Sequence, residues 1–394
     1  MTSCPRILHI VSTWESGVGN ELIEFTAKLA PALESKICVL AGANNRNVHN
    51  VPITTLGMRW TFDVSTFLRV GRILRRFRPH VVHTWDATAH LYASLHHSTG
   101  HILAEKRETV PPKGLVQQYL DRKTHRFIVP RINDSLPAAK TIVIPPAAVP
   151  VPRSEPMSAE ELLKKLGFPL VESSGNYYPV FQPQYEPARM SYKSNPPHQT
   201  PFLIGIVLPL GLEHRILDAL WAFETLNHVH LNYHAFIIGG GKDRETFLRY
   251  RDRWKLFSRV HFLGDRADAR RLLHHFDVLL HLSSSAEYSG TILSAMSCGV
   301  PVIALATPES REYVLDGATG ILIPDEGDFR FFRRTAVKRL LYLLENEELR
   351  RSMQAAAKDR VANEFNFDTA VQRRIDVYQE LCGTVPRQEK LSFV

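Results

Sequence analysis

The segment VLLHLSSSAEYSGTILSAMSCGVPVIA, residues 278–304, predicts a buried strand, a turn, a short helix and a second buried strand. The helix can begin at Gly290 or Thr291. Its apolar stripe consists of Ile292, Leu293 and Met296. Gly299 stands where a residue in the left-handed conformation commonly ends a helix. Buried strands joined through helices are typical of a parallel sheet.

The turn before this helix has the composition of an anion- and sugar-binding loop. A helix that opens at the carboxyl end of a strand presents free N–H groups, which suit a phosphate. Gly290 allows a ligand close to the backbone, and Ser289 and Thr291 offer hydroxyl donors. Glu287 can accept hydrogen bonds from sugar hydroxyls. An ordinary strand–turn–helix connection is the alternative that the spacing leaves open.

Short β-branched runs alternate with helical patterns along the whole chain. The runs of the first half are RILHIVS (6–12), ICVLAG (37–42), HVVHTW (80–85), HILAEK (101–106), RFIVP (126–130) and TIVIPP (141–146). Those of the second half are FLIGIVLP (202–209), YHAFIIGGG (233–241), RVHFLG (259–264), VLLHLSS (278–284), VPVIAL (300–305) and GILIP (320–324). This alternation predicts two tandem α/β domains, each with a parallel sheet. The tail from about 330 to 383 has a helical period.

A stretch of different composition separates the two series. Residues 145–201 are rich in proline, serine, tyrosine and asparagine, which favours a linker or a long surface loop. The tyrosines leave an ordered flap as the alternative. We expect an insertion at 165–200 within this stretch.

Composition sets the broad class of the protein. The 394 residues are 44% hydrophobic and 22% charged, as in soluble globular proteins. No apolar run reaches about 18 residues, and the N-terminus lacks the pattern of a signal peptide. The four cysteines show no metal-binding spacing, so we expect reduced thiols, a cytoplasmic location and no metal.

The net charge of +8 admits several anionic partners. Phosphorylated small molecules, anionic lipid and nucleic acid are candidates, and a merely solvated basic surface is the plain alternative. No aromatic–basic nucleic-acid motif is present, so we do not expect nucleic acid as a partner.

The order of motifs resembles the family 4 glycosyltransferases. EYSGTILSAMSCGVPVIA and SREYVLDGATGILIP are similar to "EGxxxxxLEAMAxGxPVIA" and "DGxTGxLV" of that family. FIIGGGKDRETF is similar to its glycine turn, and FLGDRADARRLLHHFDVLLHLSS to its "G-x-R-x-D" loop. In the first half, ILHIVSTWESGVGNELIEFTAKLA and RPHVVHTWDATAHLYASL resemble its first glycine loop and its "PDVVHTHD" strand. FNFDTAVQRRIDVYQEL resembles its closing helix.

The resemblance implies a GT-B fold, in which two Rossmann-like domains face an interdomain cleft. The N-terminal domain would span 1–148 and the C-terminal nucleotide-sugar domain 201–365. Residues 149–200 would hold the linker and insertion, and a helix within 366–394 would cross back to the first domain. The implied activity is sugar transfer from a UDP- or GDP-linked donor to a sugar or lipid-linked acceptor. It retains configuration and needs neither metal nor cofactor.

The resemblance also implies roles for individual residues. In the first domain, Gly17 and Gly19 would let the loop approach the diphosphate or the acceptor. In the second, Gly240, Gly241 and Arg266 would border the nucleotide. The donor sugar and phosphates would contact Glu287, Ser289, Gly290, Thr291 and Ser294.

Two departures from the family pattern put the donor site in question. The family has glutamates at the positions of Ala286 and Ser294, so Glu287 stands one place late. It also has an arginine and a lysine where this chain has Pro209 and His214. The candidate cations for the leaving phosphate are therefore Arg215, His214 and Arg107. Arg107 lies, with Lys106, at the end of a first-domain strand, where a solvated basic pair is the alternative.

The segment FLRVGRILRRFRPH, residues 67–80, predicts a basic, partly amphipathic helix. Such a helix can rest on the anionic inner face of a membrane, which suits a lipid-linked acceptor. A charged surface helix is the alternative.

Two rival functions remain at this point. One is a catalytically degenerate relative that binds a ligand or partner without turnover, which the two departures favour. The other is an isomerase or phosphorylase on the same fold, for which no converging set of carboxylates and histidines is evident.

Overall fold

A computed structural model describes 5–13, 17–29, 33–42, 51–60, 63–96, 100–105, 120–129, 136, 138–155, 157–167, 170–173, 176–179, 201–229, 233–285, 288–325 and 329–383. The strands are β1 Arg6–Val11, β2 Glu34–Val39, β3 Ile53–Thr55, β4 Val81–Thr84, β5 His101–Glu105, β6 Arg126–Val129, β7 Thr141–Val143, β8 Leu170–Ser173, β9 Asn176–Pro179, β10 Phe202–Val207, β11 Tyr233–Ile238, β12 Val260–Gly264, β13 Val278–His281, β14 Val302–Leu305 and β15 Gly320–Ile323. The helices are α1 Gly17–Leu29, α2 Val64–Phe77, α3 Ala87–Leu95, α4 Ala159–Lys165, α5 Ile216–Val229, α6 Arg244–Arg253, α7 Ala269–Leu272, α8 Gly290–Cys298, α9 Pro308–Tyr313, α10 Phe329–Glu345, α11 Glu347–Glu364 and α12 Phe367–Leu381.

The chain divides into two compact units. The first unit consists of 1–149 and 365–394, and the second unit consists of 150–364. The helix α12 thus belongs to the first unit, although it follows the second along the chain. Each unit contains a parallel sheet with helices, so the α/β class predicted from the sequence is confirmed.

The first unit has a seven-stranded sheet in the order β3-β2-β1-β4-β5-β6-β7. One apolar layer joins the strands to α2 and α3, through buried residues such as Leu8, Val82 and Leu74. A second layer joins the strands to α1 and α12, with Phe25 and Tyr378 among its largest side chains. The continuous burial of β1 and β4 follows from helices covering both faces of the sheet.

The second unit has a six-stranded sheet in the order β12-β11-β10-β13-β14-β15. Its largest apolar cluster joins the strands to α5, α6 and α10, with Phe223, Phe247 and Phe332 at the centre. β10 lies between β11 and β13, so the loops after these three strands are neighbours at one edge of the sheet.

The segment between the two series contains more regular structure than its composition indicates. Ser158 caps α4 through a reciprocal pair of hydrogen bonds with Glu161, and β8 and β9 form an antiparallel hairpin. Residues 180–200, which make up most of the predicted insertion, lie outside the described residues. The edge strand β3 was also not predicted from the sequence, because a strand of three residues is too short to show a period.

Candidate functional site

The candidate site is the edge of the second unit where its strands reach their carboxyl ends. Ligands of parallel α/β sheets bind at this edge, outside the strand ends. The loops concerned follow β10, β11, β12 and β13, and together with the first turns of α8 they contain all the described site residues predicted for the second half of the chain.

The loops after β10 and β11 are held to each other by their backbones. The Leu210 N–H donates to the Gly240 carbonyl at 2.7 Å, and the Asp243 N–H donates to the Leu210 carbonyl at 3.1 Å. Gly239 has a φ of 141°, and a Cβ at this position would lie 2.1 Å from the Leu208 carbonyl oxygen. A side chain there would separate the two loops, so the glycine run is required by the close approach.

Gly240 and Arg266 occupy neighbouring parts of the same edge. The Gly240 N–H donates to the Asp265 carboxylate at 2.6 Å, which ties the β11 loop to the β12 loop. Arg266 forms two hydrogen bonds with the Asp268 carboxylate, at 2.8 and 2.9 Å. This bidentate contact raises the pKa of the Arg266 guanidinium and lowers that of the Asp268 carboxyl. The charge of Arg266 is therefore locally balanced.

The helix α8 begins at Gly290, as the sequence predicts, and ends at Gly299 with a φ of 75°. The Ser289 side chain makes no hydrogen bond that caps the first turn. Gly290 is exposed, and a Cβ at this position would meet no other atom within 4 Å. Among the described residues, space is therefore open beside Gly290 at the amino end of α8, where the positive end of the helix dipole lies.

Ser294 lies one turn into α8 and faces inward. Its hydroxyl donates to the Gly290 carbonyl at 3.1 Å, and the residue is buried. The oxygen of this hydroxyl can still accept a hydrogen bond, but the helix backbone already takes its proton.

His214 is buried beside the start of α8. Its Nδ1 lies 2.8 Å from the Ser283 hydroxyl, and its ring packs edge-on against Tyr288 at 5.0 Å between centroids. The Ser283 oxygen accepts from the Ser285 N–H at 3.1 Å, which leaves the hydroxyl proton available for His214. When the hydroxyl donates to Nδ1, Nε2 of His214 carries the ring proton, and this nitrogen lies 3.9 Å from the Glu213 carboxylate.

Burial keeps His214 uncharged near neutral pH. Loss of hydration lowers the pKa of its imidazole, and Glu213 opposes this shift from a distance of 3.9 Å. His281 behind it is fully enclosed, and burial lowers its pKa to about 4. His214 is therefore a neutral hydrogen-bond donor and acceptor rather than a cation.

The guanidinium of Arg215 is already paired with a carboxylate. It lies in the left-handed region with a φ of 54°, forms an ion pair with Asp325 and packs over the Phe332 ring at 4.5 Å. Lys242, next to Gly241, is exposed, and no carboxylate lies within ion-pair distance of it among the described residues. It lowers the pKa of Glu213 through its charge, after the effect of a backbone hydrogen bond.

The structure brings together part of the predicted set. Eight predicted residues share the edge of the second unit with His214: Arg215, Gly240, Gly241, Arg266, Ser289, Gly290, Thr291 and Ser294. In the first unit, Gly17 begins α1 and Gly19 lies buried within it. Glu287, Arg107 and Lys106 lie outside the described residues. The sequence analysis did not identify Ser283, Tyr288 and Lys242 as site residues. Their position in the loops after β11 and β13 is the feature of the sequence that could have indicated them.

The first unit contains a second group of buried polar residues. Arg374 of α12 pairs with Glu105 at 2.9 Å and with Glu21 at 3.1 Å, and all three are buried. His83 lies 2.6 Å from the Tyr378 hydroxyl and 3.4 Å from Glu105. These contacts attach α12 to the strands and to α1.

Within the described ranges, no group of three or more histidine, cysteine, aspartate or glutamate residues is arranged to hold a metal ion. Likewise, none of the described helices has the length and apolar character needed to cross a bilayer.

Comparison with known sequences identifies the same half of the chain. Residues 191–360 match the family model of the Glycosyl transferases group 1. N-acetyl-alpha-D-glucosaminyl L-malate synthase of Bacillus anthracis is 28% identical over 167 residues, which are 42% of each chain. Trehalose synthase of Pyrococcus horikoshii is 34% identical over 107 residues, 27% of this chain and 24% of the relative. The chain thus spans less than half the length of the curated relatives it matches.

Comparison with solved structures covers both units. The crystal structure of Anabaena Alr3699/HepE in complex with UDP-glucose has a TM-score of 0.74 at 16% identity, over 95% of this chain and 99% of the other. At this identity the similarity establishes the fold. The chain therefore has the GT-B fold of glycosyltransferases, and its residues 191–360 are similar to the Glycosyl transferases of group 1.

Proposed function

We propose that the protein transfers a sugar from a nucleotide-diphosphate donor to an acceptor, with retention of configuration and without a metal ion. The observation that carries this proposal is the open amino end of α8 beside His214, in the half of the chain that matches Glycosyl transferases group 1. We assign the second unit to the donor and the first unit to the acceptor. A UDP- or GDP-linked hexose is the donor class, and the UDP-glucose complex of the structural relative supports UDP.

The amino end of α8 would hold the donor diphosphate. Negative charge develops on the leaving phosphate as the bond between the sugar and its oxygen breaks. Backbone N–H groups and the helix dipole at Gly290 and Thr291 stabilise that charge without needing to reorganise. Ser289 and Glu287 complete the proposed sugar contacts, while Ser294 offers an oxygen to a ribose hydroxyl.

His214 would donate a hydrogen bond to the same phosphate through Nε2. Ser283 fixes the ring by its contact at Nδ1, so the imidazole presents one orientation to the ligand. A buried neutral donor costs less to desolvate than a charged lysine, but it contributes less electrostatic stabilisation to a leaving phosphate.

The positive charge would come from residues around this centre. Arg215 and Arg107 remain the proposed cations, and Lys242 adds a charge that no described carboxylate neutralises. Gly240, Gly241 and Arg266 would border the nucleotide, and Gly17 and Gly19 remain the proposed contacts of the diphosphate or the acceptor. The acceptor would be a sugar or a lipid-linked sugar reached at the inner face of a membrane by a cytoplasmic protein.

Calorimetric titration of the purified chain with UDP, GDP and ADP, each with and without magnesium, tests the donor site. We expect one nucleotide to bind with micromolar affinity, equally with and without magnesium. The matching nucleotide sugar is then assayed for release of the nucleotide with simple sugar acceptors. Absence of binding by all three nucleotides would overturn the proposal.

A second candidate function is binding of a nucleotide sugar without turnover. The ion pairs of Arg215 with Asp325 and of Arg266 with Asp268 favour it, because both remove positive charge from the site. Nucleotide binding with no transfer to any acceptor, and no hydrolysis of the donor, would distinguish this function from the first.

A further inference from the structure

Large apolar side chains are exposed to solvent at the start of α2. The exposed fraction is 75% for Trp60, 63% for Val64 and 58% for Leu68. Single exposed apolar residues are ordinary on a protein surface, whereas three within one short segment indicate a contact surface.

The helical spacing places Val64 and Leu68 on the side of α2 that faces away from the sheet, and Trp60 precedes the helix. Thr66, Val70 and Leu74 are buried and pack toward the strands of the first unit. Residues four apart on the opposite side are exposed, and they are Val64, Leu68, Arg72 and Arg76. The exposed side thus changes from apolar to basic along the helix.

The charge of this segment is strongly one-sided. Residues 59–78 contain six arginines and a single acidic residue, Asp63. Asp63 caps α2 by accepting hydrogen bonds from the Ser65 and Thr66 N–H groups. Among the described residues, no carboxylate forms an ion pair with Arg72 or Arg76. The basic side of α2 therefore lacks the carboxylate partners typical of a solvated surface helix.

The segment before α2 is held in place by Asp63. Its carboxylate accepts a hydrogen bond from Ser65, which is the main reason that its pKa falls to about 2, and another from the Arg59 backbone. Its own N–H donates to the Tyr92 hydroxyl at 2.7 Å. These contacts join Asp63 to α3 through Tyr92 and to the backbone of Arg59, the residue before Trp60.

We propose that Trp60, Val64, Leu68, Arg72 and Arg76, together called the α2 surface, bind the face of an anionic lipid bilayer. The apolar side chains would enter the boundary between headgroups and acyl chains, and the arginines would contact lipid phosphates. Tryptophan suits this boundary because its ring is amphipathic. A convex helix with arginines next to exposed apolar groups matches a flat anionic surface better than a protein groove.

This inference deepens the membrane contact named under the proposed function, and it rests on that function only for the lipid-linked acceptor. Binding to vesicles requires neither a donor nor a reaction. The two ideas can therefore fail separately.

Co-sedimentation of the full chain with vesicles tests the α2 surface. Vesicles of phosphatidylcholine alone are compared with vesicles of phosphatidylcholine mixed with phosphatidylglycerol. We expect binding to the mixed vesicles, weakened by added salt. A variant with Arg72→Gln and Arg76→Gln should partition roughly thirtyfold less, at about a fivefold loss for each arginine. A Trp60→Ala and Leu68→Ala variant should also lose binding, and the remaining binding should be more sensitive to salt.

The helix α10 supplies a matched control, because it is also basic and carries the exposed side chain Phe331. The variant Arg334→Gln with Lys338→Gln removes the same charge there and should bind vesicles like the wild type. Equal losses in the α2 and α10 variants would overturn the proposal, since net charge alone would then explain binding. Wild-type binding that ignores lipid charge, or is absent, would overturn it as well.

Nucleotide titration of the same variants separates the two proposals. We expect the α2 variants to bind the nucleotide as the wild type does and to keep its circular dichroism spectrum. Loss of vesicle binding with intact nucleotide binding supports the α2 surface, whereas nucleotide binding without any vesicle binding overturns it and leaves the donor site standing.

Discussion

In the first unit, one group of buried polar residues forms an ion cluster that attaches α12. In the second unit, another group, which includes His214 and Ser283, lies at the carboxyl edge of the sheet. Arg374 and its two carboxylates are buried between helices and strands, and its guanidinium contacts both of them. His214 and Ser283 lie beside the amino end of α8, and Nε2 of His214 lies 3.9 Å from the Glu213 carboxylate. The same kind of sheet thus holds polar groups that attach a helix in one unit and polar groups of the proposed donor site in the other.

The comparison predicts the largest effect for the variant Arg374→Met. It leaves Glu21 and Glu105 buried without their cation, and we expect a loss of about 3–5 kcal/mol in the free energy of unfolding. Urea unfolding followed by circular dichroism measures this loss. Arg351→Met, which breaks an exposed pair with Glu347 on α11, is the control and should cost about 0.5 kcal/mol or less. Equal small losses would mean that the buried cluster does not attach α12.

Acid should destabilise the second unit through His281. Its pKa in the folded chain is about 4, below the value near 6.5 expected when unfolded. Between these two pH values the unfolded chain therefore binds a proton at this histidine that the folded chain does not bind. The contribution of His281 to the free energy of unfolding is present above pH 6.5 and is lost as the pH falls toward 4. Between pH 6.5 and 5 this amounts to about 2 kcal/mol.

Urea unfolding of His281→Gln at pH 7 and pH 5 measures that contribution. The variant should lose about 2 kcal/mol less than the wild type on acidification. His228→Gln, at an exposed position on α5, should behave like the wild type. An unchanged acid response in His281→Gln would contradict the assignment.

Nucleotide affinity should depend on His214. The variant His214→Phe keeps a ring against Tyr288 but removes the Nε2 donor, and we expect roughly tenfold weaker binding of the nucleotide. Ser283→Ala leaves the donor in place but frees its orientation, so its loss should be smaller. Calorimetric titration gives both values, and an unaltered affinity in His214→Phe would remove this residue from the donor site.

Substitutions of the two glycines at the ends of α8 should affect nucleotide binding and folding stability independently. A Cβ at Gly290 meets nothing within 4 Å, so Gly290→Ala should fold normally and bind the nucleotide a few times more weakly. Gly299 has a φ of 75°, and a Cβ there would lie 2.3 Å from Cε of Lys358. Gly299→Ala should therefore cost about 1 kcal/mol of stability and leave affinity unchanged. Thermal unfolding and nucleotide titration of both variants measure these effects. A loss of stability in Gly290→Ala together with a loss of affinity in Gly299→Ala would contradict the prediction.

Local patterns in the sequence were sufficient for most of the strands. Runs such as FLIGIV and YHAFII indicate buried parallel strands. Both faces of the sheet are covered, so apolar and polar residues alternate little along such a strand. Gly299 was also predicted from its place after an apolar helical stripe. The hairpin of β8 and β9 was not predicted, since proline, serine and asparagine hide a short strand pair.

The features of the candidate site also divide into those that the sequence indicates and those that it does not. The glycine turn of β11 and the open end of α8 are features of contiguous residues, and the sequence alone indicates them. Ser283 and Asp325 were missed, because their partners His214 and Arg215 lie 69 and 110 residues away. The sequence does not show that Arg215, a predicted cation, is paired with Asp325, or that Arg266, predicted to border the nucleotide, is paired with Asp268.

The sequence by itself determined the α/β class, the order of strands along the chain and the position of the candidate site, because strand burial, helix periodicity and glycine turns are local properties. The tertiary structure decided which charges remain available. Arg374 is used to attach α12, Arg215 is balanced by Asp325, and His214 is buried and neutral. Those outcomes depend on distances between remote residues and on the hydration that each side chain loses on folding.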